Sequence, residues 1–79
     1  MERVEVEWLD ACSNDAHFSV EAATEIKPLA RRNMGYLLAD TKDKVTICFG
    51  IIEDYHLQNI AVDDTLIIPR GMVTKVHRL

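Results

Sequence analysis

A chain of 79 residues with 48% apolar and 28% charged residues is long enough for one small core and too ordinary in composition to be disordered throughout. Its net charge of −4 argues against a surface made for nucleic acid. No apolar run approaches the roughly 18 residues a membrane helix needs, and the N-terminus MERVEVEWLD lacks the apolar centre of a signal peptide, so the expected location is the cytosol.

In chain order, Arg3 to Leu9 alternates Val4, Val6 and Trp8 with Glu5 and Glu7, the pattern of a half-buried antiparallel strand with Trp8 as its anchor. Asp10 to His17 reads as a loop. Ser19 offers an N-cap for a short helix over Ser19–Ile26, with Phe18 placed to staple onto Ala23, and Pro28 stops it. Two turns of helix are not stable alone, so this helix is expected to dock on the sheet.

From Asn33 to Ile52 two runs of period two flank Asp40-Thr41-Lys42-Asp43-Lys44, which predicts an antiparallel hairpin. Gly35 and Gly50 mark a bulge, a bend or a close backbone approach in its strands. Glu53 to Asp64 has no clean period and reads as an ordered loop with at most one helical turn. Thr65–Pro69 is the fourth strand, Arg70-Gly71 turns the chain, and Met72–Leu79 is the closing strand. The predicted fold is a single domain over 1–79, mainly β with α+β character. It is a small, strongly bent five-stranded antiparallel sheet, an SH3-like or Sm-like barrel, with one short helix between strands 1 and 2.

Charge is distributed unevenly. Residues 1–26 hold seven acids against Arg3 alone, whereas residues 65–79 hold Arg70, Lys75 and Arg78 with no acid. That asymmetry predicts that the first and last strands pair, with opposite charges facing each other.

Chemistry-bearing groups are few. Cys12, Asp15 and His17 do not have a familiar metal-ligand spacing, and His56 and His77 are isolated, so no metal is expected. Asp10, Cys12, Ser13 and His17 supply the residue types of a nucleophilic site but no strained nucleophile turn, and no enzyme activity is expected. Cys48 reads as a small buried hydrophobe and Cys12 as an exposed thiol. With three glycines in all, no phosphate-cradling motif can be written, and no cofactor is expected. Arginine forks still suit a nucleotide-like anion, which makes Arg31, Arg32, Arg70 and Gly71 the candidate ligand-binding residues.

Two resemblances follow from particular residues. In TLIIPRGMVTKVHRL, Ile68-Pro69-Arg70-Gly71 with Val73 and Val76 resembles the second motif of Sm-like proteins, and Gly35, Leu37 and Asp40 loosely resemble the first. That likeness implies single-stranded RNA held by Arg70 and ring assembly through the last strand. Over nearly the whole length, Val6, Trp8, Asp10, Ala11, Gly35, Leu37, Leu38, Ile68, Pro69, Arg70, Met72 and Val73 make the chain similar to small uncharacterised proteins of tailed bacteriophages and prophages. This implies a virus-encoded cytosolic accessory protein. Together these readings make a non-catalytic binding module the leading expectation, with a protein partner and homo-oligomerisation. A sequestered nucleotide-like ligand at a subunit interface and an Sm-like RNA-binding protein are the alternatives.

Overall fold

Alternating apolar residues over Arg3–Leu9 and Asn33–Ile52 favour a sheet. The computed structural model describes residues 1–11, 16–54 and 59–79. The strands are β1 (Arg3–Asp10), β2 (Leu29–Asp40), β3 (Lys44–Asp54), β4 (Asn59–Pro69) and β5 (Val73–Arg78). They form one antiparallel sheet in the order β4-β3-β2-β1-β5. A helix α1 (Val20–Thr24) lies between β1 and β2, and a 3-10 turn (Arg70–Met72) joins β4 to β5.

β2 organises the sheet. Its first part, Leu29 to Tyr36, pairs with β1, and its last part, Tyr36 to Asp40, pairs with β3. The two neighbours overlap at Tyr36 and then part. Register irregularities at Leu37/Ala39 in β2 and at Glu7/Trp8 in β1 add local twist. Gly35 lies where the backbones come closest: a Cβ there would stand 2.6 Å from the Cys48 carbonyl oxygen, so no larger residue fits without a shift. Gly50 likewise sits under the Asp63 carboxylate.

Val4, Val6, Val45, Ile47 and Ile68 are fully buried and form the core. Trp8, Leu37, Leu66, Met72, Val73 and Val76 pack around them. Each such aliphatic side chain contributes about 1.5–3 kcal/mol through burial. Trp8 directs its indole Nε1–H to Asn33 Oδ1 at 2.9 Å, which satisfies the one polar atom of the anchor. Cys48 is buried and free, as its place in an apolar strand predicts.

Local chemistry closes the ends. In the β2–β3 turn the Thr41 hydroxyl accepts from the Asp43 and Lys44 backbone N–H groups, each at 3.2 Å. The Arg70 backbone N–H donates to the Asp43 carbonyl at 2.9 Å, tying that turn to the 3-10 turn.

Four expectations are corrected. The sheet is open rather than a closed barrel: among the described residues, β4 pairs with β3 alone and β5 with β1 alone. The helix has five residues, not eight, and its residues are exposed instead of docked on the sheet. Ser19 does cap it, accepting from the Ala22 N–H at 3.1 Å. Phe18 and Ala23 line an open groove of about 610 Å³ with Ala11, Ala16, Ile26, Lys27 and Pro28, all from the same excursion. A five-residue helix with one large apolar residue, Val20, has too little area to bind a sheet.

The second strand begins at Leu29, four residues before the expected Asn33, since β1 pairs with it from Asp10↔Leu29 onward. The stretch from Glu53 to Asp64 is largely strand rather than loop: β3 runs to Asp54 and β4 starts at Asn59. Cross-strand pairing carries it, with Ile51↔Val62, Ile52↔Ala61 and Glu53↔Ile60 in one register. Asp64 breaks the visible period because it adopts φ 50°, a left-handed conformation that aspartate tolerates better than most residues.

Candidate interaction surface

β3 and β4 are each eleven residues long, but only the part of β3 up to Cys48 has β2 beside it. Beyond that point β3 and β4 continue as a two-stranded arm. Successive pairs in such a ribbon lie on opposite faces, so Ile51↔Val62 makes one face apolar and Ile52↔Ala61 the other. Ile60, Ile52 and Phe49 are 61%, 49% and 45% exposed. Ile67, across from Thr46 on β4, is exposed as well. An isolated hairpin is marginal in water, and a contiguous exposed apolar surface marks a contact site.

The molecule is long. It measures 59 × 24 × 20 Å with a radius of gyration of 16.8 Å, where a compact chain of this length has about 12 Å.

Each candidate arginine has an acidic neighbour. Arg31 places Nε 2.7 Å from Asp10 Oδ2 and its guanidinium 6.0 Å from the centre of the Trp8 ring. Arg32 Nε lies 3.2 Å from Glu7 Oε1. Arg70 pairs with Asp40 and donates to the Thr41 carbonyl from Nε at 2.9 Å and from its terminal nitrogen at 2.6 Å. Arg31 thus sits near the start of β2 and Arg70 at its end, about 30 Å apart along an extended strand. One chain does not bring Arg31 and Arg32 together with Arg70. Gly71 has open space around it, and its backbone would accept a side chain.

The expected pairing of the two chain ends is present. β1 pairs with β5, and Glu7 accepts a hydrogen bond from His77 Nε2 while Lys75 lies opposite it in the ladder. The Glu7 carboxyl is held below its ordinary value, first by that His77 hydrogen bond, against some desolvation, and then by the charges of Arg32, His77 and Lys75. Arg78 reaches Glu2 Oε2 at 2.5 Å and Asp40 Oδ2 at 3.3 Å, joining both chain ends to the β2–β3 turn.

Of the nucleophilic and metal-ligand sets, Cys12, Ser13 and Asp15 lie outside the described residues, as does His56. Asp10 is engaged by Arg31. Among the described residues, no three His, Cys, Asp or Glu side chains are grouped as metal ligands would be, and no helix is long and apolar enough to cross a membrane.

Sequence reasoning missed the arm itself. Its signal was present as Phe49-Ile51 against Ile60-Val62, two residues apart in each strand, but Asp63-Asp64 interrupted it. Compared with known proteins, the chain significantly matches no family model, no curated protein and no solved structure.

Proposed function

We propose that this chain is a non-catalytic protein-binding module, an accessory protein of a tailed bacteriophage or prophage acting in the host cytosol. The β3–β4 arm carries this reading, because it exposes the large apolar side chains Phe49, Ile52 and Ile60 beyond the point where β2 leaves β3. Open strand edges supply main-chain hydrogen bonds and the flanking apolar side chains supply selectivity, which is how strand-addition partners bind. The 3-10 turn at Arg70–Met72 and the short strand after it support an SH3-like or Sm-like ancestry for the sheet. The acidic partner on each of Arg31, Arg32 and Arg70 offsets its positive charge, which weakens both the anion reading and the RNA reading.

The test is capture from a lysate of the cells that express the chain, comparing the wild type with Ile52→Asp/Ile60→Asp. A stoichiometric protein retained by the wild type and lost from the variant, with the thermal melting profile unchanged, is the expected result. Equal retention by both, or none by either, would overturn the reading.

A further inference from the structure

The fold leaves two strand edges uncovered, and they carry opposite charge. Over Leu29–Gly35, β2 has β1 on one side, and its ladder to β3 starts only at Tyr36. Past Cys48, β3 has β4 on one side and has left β2 on the other. Among the described residues, both stretches therefore present backbone groups without a neighbouring strand, which is a template for another chain.

From Lys27 to Ala39 the sequence holds Lys27, Arg31 and Arg32 and no acid. From Phe49 to Asp64 it holds Glu53, Asp54, Asp63 and Asp64 and neither lysine nor arginine. Each stretch also exposes apolar side chains, Leu29 and Met34 on one, Phe49, Ile52 and Ile60 on the other. Extending the register of Tyr36↔Cys48 would set Asn33 against Ile51 and Arg31 against Glu53. Within one chain that extension does not form: the β2–β3 ladder ends at Tyr36↔Cys48. Two complementary surfaces are thus held apart by the fold that made them.

We propose that the β3–β4 arm of one copy docks on the Leu29–Gly35 edge of a second copy. The occupant is this same chain because length, charge sign and apolar content match between the two edges. Arg31 and Arg32 remain available to it: their side chains are 51% and 70% exposed even while paired with Asp10 and Glu7. A guanidinium has five donors, more than either pair uses. Reciprocal docking closes on itself, which keeps the assembly finite. The inference rests on the binding-module reading only in using the same arm.

The test is a charge exchange read by light scattering after gel filtration, on the full chain from micromolar to near-millimolar concentration. Wild type is expected at a mass of two or more copies. Arg31→Glu/Arg32→Glu gives an acidic edge with an acidic arm, and Glu53→Lys/Asp63→Lys/Asp64→Asn leaves Asp54 as the one acid of the arm and gives a basic edge with a basic arm. Each alone is expected at the mass of one copy. Mixed in equal amounts they should regain the wild-type mass, since every edge then meets an arm of opposite charge. A wild type that stays monomeric, variants that keep the wild-type mass, or folded variants that do not reassemble when mixed would each overturn the proposal. A monomeric wild type that still captures a foreign protein through Ile52 and Ile60 would leave the binding module standing and remove self-association alone.

Discussion

Thr46 illustrates how a single atom can conflict with an otherwise consistent strand. Its hydroxyl is buried and, among the described residues, has no hydrogen-bond partner. An unsatisfied buried hydroxyl costs about 1–3 kcal/mol, and valine has the same shape without it. Thr46→Val is therefore expected to raise stability by about 1 kcal/mol, read as a higher midpoint in urea with an unchanged slope. A lower midpoint would mean that the hydroxyl has a partner. Arg70 shows the reverse case, a residue singled out for a ligand that pairs instead with Asp40 and the Thr41 carbonyl. Its chemistry was readable from sequence, but its partner was not, because Asp40 lies thirty positions away and only the chain reversal brings it close.

At the scale of elements, β1 and β5 hold the two ends of the chain by apolar pairs on one face and charges on the other. Glu7 is at the centre of the charged face, with His77 bonded to it and Arg32 and Lys75 nearby. Its carboxyl titrates below the ordinary value of 4.5, so between those two pH values the unfolded chain binds the extra proton. Stability from this group is therefore full above the ordinary carboxylate range and lost as pH falls through the lowered one. Glu7→Gln should melt below the wild type at neutral pH, and the gap should close in acid. A gap independent of pH would assign the loss to packing instead.

The other elements divide by how much they depend on neighbours. The Ser19 cap and the Thr41 turn follow from local hydrogen bonds, and both were legible in the sequence. The helix that Ser19 caps was read too long, and its expected docking failed for want of apolar area.

On the scale of the whole molecule, an elongated chain of 59 Å carries an arm with an exposed apolar surface. Local stability should differ along one and the same pair of strands. Val45 and Ile47 lie in the core and their ladder has β2 behind it, whereas Ile51 to Glu53 pair with β4 alone. In the Arg31→Glu/Arg32→Glu variant, amides of the arm should exchange with solvent much faster than those of Val45–Cys48, as sub-global opening predicts. In the wild type the difference should narrow if a second copy covers the arm. Uniform protection in the variant would show that the ribbon is stable alone.

Five strands, the order in which they follow, the Arg70-Gly71 turn and the attraction between the chain's ends were legible in the sequence. Period-two alternation and turn chemistry are local, so one chain read in order displays them. Only the tertiary structure decided that β2 shares its length between two neighbours, that Glu53–Asp54 and Asn59–Asp64 are strand, and that the barrel stays open. It also decided that each candidate arginine has an acid beside it. These outcomes depend on which distant strand lies alongside, and hydrogen-bond register between strands is a property of pairs of segments rather than of either one.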